Sequence, residues 1–444
     1  MSGWWSSLEA RTRREIDTEV LHDRWITAVK AAWDVFRIAL VIPAAHGRRV
    51  SMSPALRPPD SPRETGRGRV EGVPGVLRAL AVFGAVRLAG VVLLILVDAV
   101  AGRPFGKSLA HAWDSVWYLH IAEHGYGTQL RITSTGAVQT DWAFFPLYPG
   151  LVRALRGLLP LTAGQAGLLI AWGSAALAVY GIYAVVHHLY GRTVATAVVA
   201  LWAVLPQSVA LTLAYTEPLF TACAAWSLYA VLRGRWLTAG SLALLAGLAR
   251  PNGVAVAAAV AAAAAHEVVR QHGRASPGLL LGTVLGPLGW VGYVLWVGRK
   301  TGDVWHGYLQ VQSAWNSRLD LAVGPLRFLQ SMPLQGSWVT YPVSVVLVVA
   351  GIVSFLVLCL ERAPLPLVVF AGVLLLLAVA VSGPFSSKPR FLLPAFPLLI
   401  PPAHALVRAW HQGPSPRARL VCACLTALSL LYGVYLAALA TQPL

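Results

Sequence analysis

WDSVWYLHIAEHGY, residues 113–126, is a polar, aromatic and acidic stretch in a chain that is otherwise largely apolar. The chain has 444 residues, of which 57% are hydrophobic and 12% are charged. Soluble domains carry about 25% charged residues, so this composition is typical of a polytopic membrane protein. Such a protein offers few places for chemistry in water, and the position of this stretch relative to the membrane therefore decides its interpretation.

Apolar runs on both sides of the stretch predict an all-α membrane protein of about eleven transmembrane helices, within a range of ten to thirteen. The predicted spans are residues 74–100, 163–188, 193–211, 215–232, 236–249, 252–269, 278–297, 338–360, 364–382, 391–409 and 419–440. Residues 143–159 are apolar but contain Pro146 and Pro149. Internal prolines make this run a poor span, so we expect a re-entrant or interfacial helix there.

The formal net charge is +17. Arginines lie mainly in short loops between apolar runs, which favours the positive-inside rule and anionic lipid contacts over nucleic-acid binding. The pattern of residues 1–50 predicts an amphipathic N-terminal extension. The alternative is that translation starts at Met52. Residues 51–73 are predicted to be a basic, disordered cytoplasmic segment. Residues 74–442 form the predicted transmembrane domain, in which residues 101–142 are the first extracytoplasmic loop.

This topology puts the N-terminus in the cytoplasm and collects acidic residues on the other side. The loops predicted to lie there contain Asp114, Glu123, Asp141, Glu217, Asn252, Asp303 and Asp320. The same loops contain Arg250, Lys300, Lys388 and Arg390. Because these cations oppose the topological trend, they suggest a functional role.

The spacing from Trp113 to His124 predicts one short amphipathic helix that ends at Gly125 and lies at the membrane interface. Asp114 falls in its first turn, where a carboxylate is stabilised as the anion. The residues alone leave two interpretations equally open, a general base and a simple helix N-cap. We expect Trp113, Trp117 and Tyr118 to contact the substrate.

Further polar residues predict binding functions in the same region. Glu123 and Asp141 either orient a sugar hydroxyl or are solvated, and Glu217 in the motif YTEP either binds substrate or is exposed to solvent. Arg250 either stabilises a helix C-terminus or, with Asn252, belongs to an anion site. The second predicted cationic cluster contains Lys388 and Arg390. Two cationic sites suit a lipid-linked phosphate or pyrophosphate.

Metal and nucleotide sites are not indicated. His120 and His124 have i, i+4 spacing but lack an evident third ligand, and the four cysteines lie in apolar segments without metal-ligand spacing. The sequence contains no Walker loop, dinucleotide fingerprint or nucleophile elbow. We therefore expect neither a metal nor a cofactor.

Several motifs together resemble the PIG-V-type mannosyltransferase family. They are WDSVWYLHIAEHGY, FFPLYPGLVR, AYTEPLF, LARPNG and SSKPRFLLPAFPLL, and they occur in this order over roughly residues 75–440. The resemblance implies a multi-spanning bundle of the GT-C type and inverting transfer of a sugar, usually mannose, from a polyprenyl-phosphate donor. It also implies catalysis on the non-cytoplasmic side, generally without a metal, by a carboxylate that corresponds to Asp114.

These implications define the expected function. Asp114 would accept the proton of an acceptor hydroxyl, Arg250, Lys388 and Arg390 would hold the leaving phosphate, and Glu123 and Glu217 would position the sugar. The expected partners are membrane lipid, the polyprenyl-phosphate donor and a lipid, glycan or protein acceptor, in a bacterial plasma membrane. The alternatives are a GT-C enzyme for another sugar, such as arabinose or glucose, and a non-enzymatic polyprenyl-lipid transporter or scaffold.

Overall fold

The computed structural model describes residues 72–133, 136–318, 340–383, 387–413 and 416–440. These residues form a predominantly α-helical bundle, as predicted. The predicted amphipathic extension (1–50), nearly all of the basic segment (51–73) and Asp320 lie outside the described residues.

The N-terminal part combines long apolar helices with several short elements. Its elements are α1 (Gly72–Val100), α2 (Lys107–Ala110), α3 (Ser115–His124), β1 (Leu130–Ile132), β2 (Val138–Thr140), α4 (Leu147–Leu158), α5 (Ala163–Tyr190), α6 (Arg192–Val204), α7 (Glu217–Leu232) and α8 (Trp236–Ala249). Short 3-10 helices cover Asp141–Ala143 and Pro206–Leu211. A capping box starts α5, because the Thr162 hydroxyl accepts from the Gln165 N–H while the Gln165 side chain accepts from the Thr162 N–H.

The C-terminal part continues the bundle and then becomes less regular. Its helices are α9 (Gly253–Arg270), α10 (Pro277–Thr301), α11 (Gly307–Ala314), α12 (Thr340–Leu360), α13 (Leu365–Ala380), α14 (Lys388–Leu392), α15 (Ile400–His411) and α16 (Pro416–Val434). A 3-10 helix, Phe396–Leu399, separates α14 from α15, and a π-helical turn, Tyr435–Leu439, follows α16.

Six helices among the described residues are long and apolar enough to cross a membrane. They are α1, α5, α9, α10, α12 and the C-terminal stretch Arg419–Leu439, which comprises most of α16 and the π-helical turn after it. Shorter apolar helices are α6, α7, α8 and α13. The protein is thus a polytopic membrane protein, although the predicted number of eleven spans is not confirmed.

Two predicted spans are not single helices. In residues 193–211, helix α6 ends at Val204 and the 3-10 helix Pro206–Leu211 follows. Residues 391–409 were expected to cross as a single helix, but the structure divides them among the end of α14, a 3-10 helix and α15. Pro394, Pro397, Pro401 and Pro402 lie in this segment. A proline lacks an N–H and disfavours the α conformation of the preceding residue, which explains the breaks.

The predicted first extracytoplasmic loop contains more structure than one helix. Its helix α3 begins at Ser115, two residues after the predicted start at Trp113. Strands β1 and β2 pair antiparallel, with Leu130 opposite Thr140 and Ile132 opposite Val138. This two-stranded ribbon was not predicted from the sequence.

The largest buried core lies between α1, α5–α9 and α13, and much of it consists of alanine and valine. Helix α5 packs on α7, and α8 packs closely on α10. By contrast, α12 exposes Val346, Val349 and Val353. Apolar side chains on the outside of a helical bundle are suited to lipid contact.

Candidate active site

Asp114 occupies the N-cap position of α3, but its side chain makes no capping hydrogen bond. The preceding residue, Trp113, has a φ of 47°, which is uncommon for a residue with a bulky side chain. Asp114 Oδ2 lies 2.7 Å from Arg390 Nη1, and the Asp114 N–H donates to the Tyr215 hydroxyl at 3.3 Å. Asp114 is thus the N-cap residue by position, but its carboxylate pairs with an arginine far along the chain and does not cap α3.

Asp114 belongs to a network of four charged side chains, which we call the ion cluster: Asp114, Glu217, Arg250 and Arg390. The carboxylate oxygen Oε1 of Glu217 lies 2.5 Å from Arg250 Nη1 and 3.3 Å from Arg390 Nε. Arg390 therefore bridges both carboxylates, and Glu217 receives both arginines. Four separate segments of the chain meet at this point.

Local sequence places the charges at helix ends. Glu217 is the first residue of α7 and Pro218 follows it, an arrangement that suits the first turn of a helix. Arg250 is the C-cap of α8, and Pro251 prevents the helix from continuing. Arg390 lies in α14, a helix of only five residues. The helix ends thereby bring charge into an apolar bundle without breaking a long span.

Formal charges balance within the ion cluster, since two carboxylates face two guanidinium groups. Such balance is necessary for buried charges, because an unpaired ion loses its hydration without compensation. Burial opposes the charge of Arg390, but the negative charges of Asp114 and Glu217 outweigh burial and raise its pKa above the usual value. Arg390 therefore stays protonated at every physiological pH.

Two tyrosines and a threonine border the ion cluster. The Arg390 guanidinium lies 5.4 Å from the centre of the Tyr215 ring, a cation–π distance. Arg250 donates to the Thr216 hydroxyl at 2.8 Å, and that hydroxyl donates to Tyr118 at 3.3 Å. Burial raises the pKa of Tyr118 to about 12 and raises that of Tyr215 as well. Both phenols are therefore neutral hydrogen-bonding groups near pH 7.

The two carboxylates of the ion cluster, Asp114 and Glu217, differ in their exposure to solvent. The Asp114 side chain is 25% exposed, whereas the Glu217 side chain is 1% exposed and that of Arg390 is 7% exposed. Asp114 is thus the member of the ion cluster that an incoming molecule can reach. Glu217 is enclosed and holds the two arginines together.

The aromatic residues around Asp114 are part of the protein interior. Trp117 stacks on Phe144 with ring centres 5.6 Å apart and meets Trp315 edge-on. Tyr118 contacts Phe144 edge-on. The Trp113 indole N–H donates to the carbonyl of Leu436 at 3.3 Å. These contacts fix α3, and with it Asp114, against the rest of the bundle.

Two residues predicted to bind the substrate, Asp141 and Glu123, contact other parts of the protein instead. Asp141 is buried and accepts hydrogen bonds from the N–H groups of Gly127 and Thr128, so it is neither a solvated group nor a free sugar ligand. Glu123 is partly exposed and lies 3.5 Å from Arg156. Neither carboxylate joins the ion cluster, and both stabilise the segment around α3.

The two cations predicted to form one cluster, Lys388 and Arg390, have different partners in the structure. Lys388 Nζ donates to the carbonyls of Ala378 and Val381 at 2.8 and 2.6 Å, at the C-terminal end of α13. Arg390 alone reaches the carboxylates. Asn252 is buried at the N-cap position of α9, without a side-chain capping bond. Their predicted contacts with a substrate stay predictions.

The pairing of the charges was not predicted from the sequence. Asp114 was expected to accept a proton and the arginines to bind phosphate, whereas in the structure the opposite charges contact each other. The signal was present in the motif AYTEPLF, where Tyr215 and Thr216 directly precede Glu217. A buried glutamate at a helix start needs a cation, and Arg250 and Arg390 were the unexplained cations on the same predicted side.

His120 and His124 stack with ring centres 4.4 Å apart on α3. In the described part of the chain, no group of three or more His, Cys, Asp or Glu side chains is arranged to hold a metal ion. The predicted absence of a metal and a cofactor stays a prediction.

Comparison with known sequences supports the resemblance seen in the motifs. Residues 85–271 match the family described as Mannosyltransferase (PIG-V). This match includes Asp114, Glu217 and Arg250 but ends before Arg390. No curated protein sequence matches the chain significantly.

Similar solved structures include three of the oligosaccharyltransferase of Archaeoglobus fulgidus. The apo form has a TM-score of 0.45 and 15% identity, over 81% of this chain and 55% of the other. A complex with Zn and sulfate has a TM-score of 0.41 and 13% identity, over 80% and 54%. A complex with an inhibitory peptide and a dolichol-phosphate has a TM-score of 0.37 and 13% identity, over 79% and 55%. The chain thus spans about half the length of these structures.

Proposed function

We propose that this membrane glycosyltransferase, whose residues 85–271 match the family described as Mannosyltransferase (PIG-V), transfers mannose from a polyprenyl-phosphate donor to an acceptor hydroxyl. The observation that carries the proposal is the ion cluster, in which the reachable carboxylate of Asp114 adjoins the buried Arg390. A general base must be reachable and must lie near a group that stabilises the departing phosphate. Asp114 and Arg390 supply these two functions.

The reaction is a single displacement with inversion. The acceptor oxygen forms a bond to the anomeric carbon, and the bond between that carbon and the phosphate oxygen breaks. The hydroxyl proton passes to Asp114, while the phosphate leaves with the bonding electron pair. Negative charge grows on the phosphate during this step, so a cation placed there stabilises the transition state more than the ground state.

The neutral ion cluster must rearrange to serve this reaction. Arg390 Nη1 lies 2.7 Å from Asp114 Oδ2, so this oxygen is occupied by the guanidinium while the pair is intact. We propose that the donor phosphate takes over contacts of Arg390 with Asp114, which frees the carboxylate to accept a proton. Glu217 holds Arg390 in place during this exchange, because it contacts Arg390 directly and is itself paired with Arg250.

The proposed site faces the non-cytoplasmic side, in a plasma membrane of bacterial type, with the N-terminus in the cytoplasm. Support comes from the concentration of acidic residues in one set of loops and of arginines in the other. A polyprenyl carrier suits this side, since nucleotide sugars are cytoplasmic whereas a lipid-linked sugar can be flipped across the membrane. The acceptor is a lipid, a glycan or a protein.

A competition assay tests the sugar specificity. Membranes that contain the protein are supplied with labelled polyprenyl-phosphate mannose, and unlabelled polyprenyl-phosphate arabinose or glucose is added. We expect only unlabelled polyprenyl-phosphate mannose to compete strongly. If the arabinose or glucose donor competes better, the enzyme uses another sugar. Mass spectrometry of envelope glycolipids and glycoproteins from cells without the protein identifies the acceptor as the molecule that lacks one hexose.

A further inference from the structure

The π-helical turn Tyr435–Leu439, which we call the C-terminal turn, lies against the segment that leads to Asp114. It follows α16 and packs on α1 and α2. The N–H of Ala440 donates to the carbonyl of Tyr435 at 2.8 Å, which closes the wide i to i+5 ring of a π-helix. π-Helical turns are rare and are frequent at functional sites. The turn also lies outside residues 85–271, the part of the chain that matches the mannosyltransferase family.

Two backbone carbonyls of the C-terminal turn accept hydrogen bonds from the segment between α1 and α3. The indole N–H of Trp113 donates to the carbonyl of Leu436 at 3.3 Å, and Arg103 Nη1 donates to the carbonyl of Ala438 at 2.8 Å. The last four carbonyls of a helix have no partner within the helix, and a cation is favoured at this negative end. The C-terminal turn therefore supplies two acceptors that bind the segment from outside.

Asp98 holds the beginning of the same segment. Its carboxylate is 1% exposed at the end of α1, and it lies 3.7 Å from Arg103 Nη1. It also accepts hydrogen bonds from the N–H and the hydroxyl of Ser108, at 3.0 and 2.6 Å. Arg103 thus joins a buried carboxylate to the C-terminal turn, and Ser108 joins that carboxylate to α2. The segment is therefore anchored at several points before the chain reaches Asp114.

The backbone of Trp113 has an unfavourable conformation. Its φ of 47° lies in the left-handed region, where a bulky residue is an outlier. Such a conformation persists only where surrounding contacts impose it, and it occurs mainly at active sites. The peptide bond that follows carries the N–H of Asp114, which donates to the Tyr215 hydroxyl at 3.3 Å. The backbone angle at Trp113 therefore sets the position of the Asp114 carboxylate relative to Arg390.

We propose that Trp113 and Arg103 are positioning residues for the general base, and that they act through the C-terminal turn. Their two hydrogen bonds to the turn keep the backbone of Trp113 in its left-handed conformation. That conformation in turn holds the Asp114 carboxylate where it meets Arg390 and where it can accept the proton of the acceptor hydroxyl. This inference rests on the proposed function for the assignment of Asp114 as the base.

Steady-state kinetics separate positioning from substrate binding. Trp113→Phe keeps an aromatic ring but removes the N–H that reaches Leu436. Initial rates of mannose transfer by the purified full chain are measured over a range of polyprenyl-phosphate mannose concentrations. We expect kcat to fall by about tenfold or more while KM stays within about twofold, because a small displacement of a catalytic group slows the chemical step. Unchanged kcat would overturn the proposal, and a raised KM beside it would identify Trp113 as a ligand of the substrate.

Trp226→Phe is the matched control. The Trp226 indole N–H donates to the carbonyl of Leu177 at 3.0 Å, so this change removes the same kind of hydrogen bond between α7 and α5. Trp226 lies about two and a half helical turns from Glu217 along α7. We expect similar changes in melting temperature for the two variants but a fall in kcat for Trp113→Phe only. An equal fall in kcat for both variants would indicate a general structural effect and would contradict the proposal.

Arg103 gives a second comparison. Arg103→Lys keeps a cation that can donate to the carbonyl of Ala438, whereas Arg103→Met does not. We expect Arg103→Met to lower kcat with little change in KM, and we expect Arg103→Lys to retain most of the wild-type kcat. Normal kcat in Arg103→Met would contradict the function assigned to Arg103.

Amide hydrogen exchange tests the positioning contact without sugar transfer. We expect Trp113→Phe to accelerate exchange at residues 114–116 and Trp226→Phe to leave it unchanged there. If the wild-type protein transfers no mannose, the proposed function fails, while this difference in exchange would still establish the contact. An active mannosyltransferase in which Trp113→Phe alters neither kcat nor exchange would keep the proposed function and overturn this inference.

Discussion

Arg390 determines the geometry of the candidate active site, because it is the residue that connects Asp114 to the rest of the ion cluster. Without it the carboxylate at the start of α3 has no charged partner in the described structure. Glu217 has the complementary function, since two buried arginines converge on one of its oxygens. The site is therefore a charge-balanced unit in which each member depends on the others.

Glu217→Gln should destabilise the protein strongly. The change leaves the buried Arg250 with no carboxylate partner and Arg390 with one fewer, and breaking such a buried pair costs about 3–5 kcal/mol. The thermal or denaturant unfolding of the detergent-solubilised protein measures this loss. Glu123→Gln is the matched control, because Glu123 and Arg156 form a partly exposed pair worth about 0–1 kcal/mol. Equal destabilisation by the two changes would contradict this assignment.

Asp141→Ala should loosen the segment after α3 without changing the ion cluster. The buried carboxylate accepts from the N–H groups of Gly127 and Thr128, and leaving such donors unpaired costs about 1–3 kcal/mol. Hydrogen exchange should become faster at residues 127 and 128 and stay unchanged around residues 217 and 250. Uniformly faster exchange would indicate a global effect instead.

At the scale of elements, glycines permit the close packing of α8 against α10. A Cβ on Gly240 would collide with the carbonyl of Gly282, and one on Gly289 would collide with the carbonyl of Leu244. Small residues at such contacts let backbones approach, which is how membrane helices gain packing energy where the hydrophobic effect is absent. This packing fixes the end of α8, where Arg250 lies.

Gly289→Ala should therefore impair folding, because the added methyl group meets backbone atoms of α8 that cannot move aside easily. Gly292→Ala is a control on the same helix, where the methyl group would meet nothing within 4 Å. Size-exclusion profiles of the detergent-solubilised variants after heating compare the two. We expect a lower melting temperature for Gly289→Ala only, and similar profiles would refute the close contact.

For the whole molecule, the sequence predicted helices best where apolar runs are not divided by several closely spaced prolines. The bounds of α5, α8 and α10 lie close to those predicted, because an apolar run in a membrane can satisfy its backbone only as a helix. The prediction of a single helix for residues 391–409 was wrong because their prolines divide the apolar run. The predicted site residues 114, 217, 250 and 390 do meet, but their pairing depends on tertiary contacts that local patterns do not contain.

Sidedness is a property of the whole molecule and can be tested by labelling. In a variant without the four native cysteines, a cysteine is introduced at Thr128 or at His272, both of which are exposed. We expect a membrane-impermeant maleimide to label position 128 in intact cells and position 272 only after permeabilisation. The opposite pattern would put the ion cluster on the cytoplasmic side and would exclude the proposed topology.

The most direct test of the central claim is mannose transfer by the Asp114→Asn variant in membranes supplied with labelled polyprenyl-phosphate mannose. Asparagine keeps the shape of the side chain but cannot accept the proton at physiological pH. We predict that the transfer rate falls by about 10²–10⁴-fold, the range expected for loss of a general base, in a variant that remains folded and still binds polyprenyl phosphate. Near-normal transfer by Asp114→Asn would contradict the assignment of Asp114 as the base.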